Sequence, residues 1–543
     1  MLSRKNLLTR QATISLAISS IILVSFVIYK DILHYTFIGS DAITFVDTSR
    51  IKSFKDIIRI FSEAVFEGTS FSNFGKFYRP LLVLYYGLDY YIWQLNPFGY
   101  HLTDLILHIA VSILVFYFVL SLTNGKQVLA WMSAIIFTIH PIHIKILPLT
   151  ASSRQESTFT LFMLLSFVTF FKYHGVLPRK NRYLVLSFFC YLLALGFKES
   201  AIMFLPLLLI YLMVFTDSRE KSAKQKIIMA TKQCLPFIMV TLIYIAWRTY
   251  ILNGLGGYFI HNSVPVASIE PSNYKIVAYC QVMKNIVFSY FKHLLFPVDL
   301  LGSQTIPLSK YVRLFILLII VLFIPLLLFY KKPLLTKLRQ NEGGGIKDLN
   351  IKLILFSIVW LLLPLSLSLF VKFFSTRYLF ISMIPLSIIL SILSIKIIQT
   401  LVRKIRESLS QDSYPRLLFN ISLSSLILIL MLGCFTVYSP FVRGINKSWG
   451  NINDMSRIFI HEFIKFIPNI PDGSRVHLHN VPQIGFHTYT LQSWLNLTHP
   501  SKNLTVFIVK SRQKADISFN NLNFQIENRN GRDIVMNVIY DNR

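Results

Sequence analysis

The residues of this chain that could do chemistry fall in short stretches, each following or interrupting a long apolar run. They are Asp41 and Asp47; Arg79; His101 and His108; His140 and His143, with Arg154 and Glu156 just beyond; Lys198 and Glu199; and Arg377 with Tyr378. A lone carboxylate such as Asp41 can take a proton from an attacking hydroxyl. Arginine grips phosphate oxygens in pairs and keeps its charge, while lysine supplies a compact point charge. Collected on one surface, a carboxylate, several histidines and several cations could neutralise a phosphate and deprotonate an acceptor.

Each residue also has a plainer reading. Asp41 could cap a helix, and the run Asp47-Thr48-Ser49 suits turn or cap chemistry. His101 and His108, seven apart, share one helix face and read first as interior residues. His140 and His143 could hold a metal, yet no third ligand is evident nearby, so a divalent metal is the less favoured alternative and no cofactor is expected. Lys198 and Glu199 could form a solvated turn, Arg377 could anchor a helix at an interface, and Arg154 with Glu156 could form a local ion pair.

The elements that must position these residues are membrane spans. Of the 543 residues, 54% are hydrophobic and 46 are Phe, and the mean hydropathy is +0.56, so many stretches can cross about 30 Å of hydrocarbon as helices. The net charge of +29 does not indicate a nucleic-acid partner. Twenty-three of the 54 Lys and Arg fall in residues 1–12, 172–183, 217–233, 331–352 and 396–416, which alternate with apolar runs as cytoplasmic ends do. The N-terminal run 12–29 lacks a small-residue cleavage site and reads as an uncleaved anchor. The four cysteines lie in or beside apolar runs without metal-site spacing.

Single spans suit 101–123, 127–145, 156–172, 234–252, 311–330, 351–371, 378–398 and 417–437. The stretch 183–215 has basic clusters at both ends and Lys198 and Glu199 in its middle, so a hairpin with those two at the outer turn is favoured over one span. Residues 31–100 form an outer loop containing surface helices, and 275–296 suits an amphipathic or re-entrant helix. The expectation is an all-α polytopic protein of about eleven spans over residues 1–438. Its N-terminus is cytoplasmic, and a small extracytoplasmic α/β domain follows over 439–543. Asp41, Arg79, the His140–Glu156 stretch, Lys198 with Glu199, and Arg377 with Tyr378 then face outward.

The ordered set Gly39-Ser40-Asp41, Phe45-Val46-Asp47, Tyr78-Arg79-Pro80-Leu81, Asn96-Pro97-Phe98-Gly99-Tyr100-His101-Leu102, the more distal His108, His140-Pro141-Ile142-His143, Arg154-Gln155-Glu156, Lys198-Glu199 and Arg377-Tyr378-Leu379 resembles the membrane portion of GT-C-fold glycosyltransferases. It is most similar to the transmembrane and tetratricopeptide-repeat O-mannosyltransferases and their bacterial relatives, over about residues 30–400. The chain departs from that pattern in three ways. Ser40 replaces the first of two adjacent acidic residues, Lys145 stands where Glu is frequent, and no 34-residue repeat follows the last span.

The resemblance implies a GT-C-like bundle and transfer of a sugar, a mannose-like hexose, from a polyprenyl-phosphate donor to an acceptor hydroxyl. In that chemistry Asp41 is the base, and displacement by one base inverts the anomeric centre. Arg377 and Arg79, then Lys198 and Arg154, bind the donor phosphate. Asp47, His101, His140, His143, Glu156, Glu199 and Tyr378 support them. The acceptor is a protein, glycan or lipid, and the composition leans toward a prokaryotic plasma membrane over the endoplasmic reticulum. The rival reading is a transporter or flippase, but such proteins place charges at mid-membrane within repeated halves, and no internal repeat is visible here.

Overall fold

A computed structural model describes residues 4–38, 41–49, 51, 53–67, 75–175, 180–215, 223–254, 256–258, 272–295, 349–371, 374–408, 444, 446–481, 488–511, 521–529 and 533–541. The expected spans at 311–330 and 417–437 lie outside them. The protein is a mainly helical, multi-pass membrane protein. Among the described residues six helical stretches are long and apolar enough to cross a bilayer: Arg10–His34, Pro97–Leu122, Gln127–Ile146, Lys224–Leu252, Leu349–Leu369 and Thr376–Thr400. Two shorter apolar ones, Asn181–Phe197 and Glu199–Phe215, accompany them, so the expected count of eleven is not established.

The first spanning helix, α1 (Arg4–Tyr29), leads into three short helices: α2 (Asp41–Thr48), α3 (Phe54–Ser62) and α4 (Pro80–Trp93). On α3, Phe54, Ile58 and Phe61 recur on one exposed face while Ile60 is buried, a pattern suited to lying along a membrane surface. Helix α5 (Pro97–Leu122) starts where the sequence is built to start one. Asn96 accepts from the Phe98 N–H at 3.2 Å and Pro97 takes the first helical position. Gly99 is required there, since a Cβ would fall 2.0 Å from the Trp93 ring.

The expected single span at 127–145 is two helices, α6 (Gln127–Ile139) and α7 (Pro141–Ile146). Pro141 disfavours a helical conformation at His140, which turns to φ −63°, ψ 133° and caps α7 through its ring, accepting from the Ile142 N–H at 3.3 Å. Helix α8 (Thr150–Gly175) packs on α5, with Phe167 5.6 Å from Phe118, and is followed by α9 (Asn181–Phe197), a 3-10 turn (Glu199–Met203) and α10 (Phe204–Phe215). The chain reverses at that turn. Tyr191 of α9 stacks on Phe204 at 4.8 Å, and α10 runs alongside α8, with Phe167 4.5 Å from Phe204 and Phe171 4.4 Å from Tyr211.

Helices α11 (Ala223–Leu252), α12 (Ser272–Leu295), α13 (Leu349–Val371) and α14 (Leu379–Ser408) complete the described bundle. Tyr290 of α12 ties the last two together, donating to the Leu361 carbonyl at 2.6 Å and lying 2.8 Å from the Ser382 hydroxyl. Two two-residue strands, β1 (Gly75–Lys76) and β2 (Gly257–Tyr258), pair before α4.

The C-terminal unit carries a helical stretch α15 (446–466), then β3 (Arg475–Val481), α16 (Thr488–Thr498), β4 (Thr505–Ser511), β5 (Asn521–Arg529) and β6 (Asp533–Asp541). Its sheet has the order β4-β3-β6-β5, parallel except for the β5–β6 hairpin. Val476, Leu478, Val506 and Met536 bury one face of the sheet against Phe459 and Phe463 of α15 and Leu491 and Leu495 of α16. That is a core separate from the bundle's.

Candidate functional site

The site gathers at one end of the bundle, where α4, α8, the turn between α9 and α10, and the start of α14 meet. Arg79 precedes Pro80 as the cap residue of α4. Its guanidinium grips Glu199 through two hydrogen bonds of 2.9 and 2.6 Å and donates a third, at 2.6 Å, to the Gln155 side-chain oxygen. Next to Glu199, Lys198 donates to Glu156, the neighbour of Gln155. Two consecutive residues of α8 and two of the turn are thus closed into one circuit by Arg79 and Lys198. Both cations are nearly buried.

The Lys198 ammonium also lies 5.1 Å from the ring centroids of Phe159 and Tyr378, and the Arg377 guanidinium lies 5.8 Å from the same Tyr378 ring. Sharing that ring places Lys198 and Arg377 no more than about 11 Å apart. Burial pushes the Lys198 ammonium below its usual range; Glu156 opposes this, and Arg79 and Arg377 reinforce it. Arg377 sits half-buried in a 3-10 turn, Thr376–Tyr378, and is the most accessible of the three cations. Three cations from segments far apart in sequence therefore meet beside two carboxylates.

Arg154 departs from its expected role. It is fully buried, donating to Asp104 at 2.7 Å, to Asp89, and to the Tyr100 carbonyl at 3.0 Å, with Tyr85 stacked on it at 4.9 Å. Two carboxylates already satisfy its charge, so it ties α4, α5 and α8 together and does not face a ligand. Nor does it pair with Glu156, which is taken by Lys198. Arg154→Ala is therefore expected to leave two buried carboxylates without their cation, at a cost of about 3–5 kcal/mol. A large fall in thermal unfolding temperature in detergent would show this, whereas an unchanged Tm with weakened donor binding would return Arg154 to the phosphate. Asp89 and Asp104 are not among the expected site residues, though a lone carboxylate inside the apolar run of α5 signals a buried cation facing it.

The other expected residues are placed as follows. His101 is buried with Nε2 3.0 Å from the Thr36 carbonyl. His108 and His143 are buried against each other, their ring centroids 4.9 Å apart beside Phe137 and Phe380. His140 caps α7. Among the described residues no group of three His, Cys, Asp or Glu side chains is placed to hold a metal ion. Asp47 accepts from the Asn496 amide at 2.8 Å. Asp41 opens α2, while its side chain lies outside the described residues. Helix α2 itself packs on α4, the helix that Arg79 caps, through Phe45 stacked on Tyr86 at 4.8 Å. At the opposite end of the bundle a cavity of about 410 Å³ is lined by Lys126, Gln127, Asn350, Ile392, Lys396 and Gln399, among others.

No family model matches the chain. Curated relatives include the protein O-mannosyl-transferase TMTC1 of Homo sapiens, 28% identical over 166 residues, which are 29% of this chain and 19% of that protein. The protein O-mannosyl-transferase tmtc2 of Xenopus laevis is 27% identical over 236 residues, 42% of this chain and 27% of its own. The chain thus spans about a fifth to a quarter of the length of these relatives. The resemblance carried by the sequence motifs is borne out at that level. Among solved structures, ArnT from Cupriavidus metallidurans bound to undecaprenyl phosphate aligns over 91% of this chain and 85% of its own, with 11% identity and a TM-score of 0.42.

Proposed function

We propose that this protein is an inverting glycosyltransferase of the membrane. It would move a mannose-like hexose from a polyprenyl-phosphate donor to an acceptor hydroxyl on the extracytoplasmic face. The observation that carries this reading is the meeting of Arg79, Lys198 and Arg377 at one end of a membrane-spanning bundle, beside the helix that Asp41 opens. A lipid-linked phosphate stays at the interface while its tail remains in hydrocarbon, so its binding site needs cations at a helix end and not at mid-membrane.

Phosphate is a good leaving group once its charge is stabilised, so fixed cations serve it better than an acid does. Glu199 and Glu156 offset the charges of Arg79 and Lys198 and hold them in fixed ion pairs, a preorganised polar frame beside Arg377 that needs no reorganisation when the bond breaks. Arg377, at the more open edge, would grip the phosphate oxygens directly. The acceptor hydroxyl forms a bond to the anomeric carbon as the carbon–oxygen bond to phosphate breaks. Its proton passes to Asp41, and polyprenyl phosphate leaves with the electron pair. The names of the sequence relatives support a sugar-transfer reading, and mannose is carried from those names.

Sidedness is tested by single cysteines in a background with the four native ones replaced. A cysteine at Thr376 should react with an impermeant thiol reagent in intact cells. One at Lys180, exposed at the opposite end, should react only after permeabilisation. Gly196 is unsuitable as a probe, because a Cβ there falls 2.7 Å from Leu81. The reverse labelling pattern would place the cation cluster in the cytoplasm and overturn the reading. Transport is separated from transfer in proteoliposomes carrying polyprenyl-phosphate mannose: transfer releases polyprenyl phosphate, whereas a flippase moves intact donor between leaflets.

A further inference from the structure

We infer that α16 of the C-terminal unit positions the candidate base, by clamping the segment that carries Asp41. This rests on the assignment of Asp41 in the proposed reaction, and it adds residues from a part of the chain that the resemblance does not cover.

Helix α2 has eight residues, too few to persist without tertiary support. One face meets α4 and the core through Phe45, stacked on Tyr86 and 4.5 Å from Phe66. A different face meets α16. The Asn496 amide donates to Asp47 at 2.8 Å, the buried Ser493 hydroxyl reaches the buried Thr44 hydroxyl at 3.4 Å, and Trp494 lies edge-on to Phe37 at 6.0 Å. Asp47 sits in the last turn of α2, the wrong end of the helix dipole for a carboxylate, so a donor there is a specific provision.

The same unit holds the approach to α2. The Thr36 N–H donates to the Asn453 side-chain oxygen at 2.6 Å, and the Tyr35 hydroxyl donates to the Asn446 carbonyl at 3.2 Å. Asp41 is therefore bracketed, with residues 35–37 pinned before it and 44–47 after it, all by residues 446–496. The Asn496-Leu497-Thr498 tripeptide matches a glycosylation acceptor in sequence, but its Asn side chain is engaged in this clamp.

A small displacement of a reacting group costs much of its rate, so the clamp should act on turnover. Asn496→Asp sets a second carboxylate against Asp47, and adding Asp47→Asn restores one donor and one acceptor. In the full-length protein in detergent, Asn496→Asp is expected to speed amide hydrogen exchange of residues 41–48 at least about tenfold. It should also lower kcat for release of polyprenyl phosphate from polyprenyl-phosphate mannose at least about tenfold, with donor KM little changed. The double variant should recover both. Unchanged exchange and kcat in Asn496→Asp, or a double variant no better than the single, overturns the inference. If Asn496→Asp also exposes the amides of β3, Asn496→Leu replaces it, and wild-type exchange and kcat in that variant overturn the inference equally. Exchange reads the clamp whether or not sugar transfer occurs. Faster exchange at 41–48 together with a silent Asp41→Asn variant would leave the clamp standing and remove Asp41 as the base.

Discussion

Asp41→Asn is expected to lower turnover by about 10²–10⁴-fold while leaving donor binding nearly intact, because the amide keeps the shape of the carboxylate but cannot accept the acceptor's proton. Several of the other carboxylates among the described residues are committed elsewhere. Glu199 is gripped by Arg79, Glu156 by Lys198, Asp89 and Asp104 by Arg154, and Asp47 by Asn496. Steady-state kinetics with polyprenyl-phosphate mannose checks this. Near-normal turnover in Asp41→Asn, with Asp47→Asn or Glu199→Gln abolishing it, would move the base to that residue.

Arg377→Ala should fail differently. The donor phosphate is charged before and during the reaction, so losing the guanidinium should raise donor KM and lower kcat together. A charge-assisted hydrogen bond is worth about 1.5–3 kcal/mol, which corresponds to a loss of roughly ten- to more than a hundredfold in kcat/KM. Arg377→Lys should recover only part, since an ammonium keeps the charge but not the two-pronged grip. Equal activity in all three proteins would reduce Arg377 to an interface anchor.

What the sequence disclosed follows from the cost of charge in hydrocarbon. Lys198 and Glu199 in the middle of a long apolar run demanded a turn, and the chain reverses there, with Tyr191 against Phe204. His140 before Pro141 marks a helix start, which divides the expected single span at 127–145 in two. The motif around Asn96 to His101 was visible, but its content is structural: a cap, a first-turn proline, a glycine against Trp93 and a histidine on the Thr36 carbonyl. Pairing was hidden. Arg154 and Glu156 sit two apart in sequence, so their side chains leave α8 in different directions and reach different partners. The contact of Asn496 with Asp47 joins residues nearly a chain apart, and neither side chain advertises the other.

Photo-cross-linking locates the polyprenyl phosphate, which is expected at the cation cluster. Purified protein would be irradiated with polyprenyl phosphate carrying a diazirine beside the phosphate, then digested and the labelled peptides identified by mass spectrometry. Labelling is expected in the segments holding Arg79, Lys198 and Arg377, and it should fall in Arg377→Ala. Labelling confined to the segments of Lys126 and Lys396, around the cavity at the opposite end of the bundle, would contradict the assignment of the site.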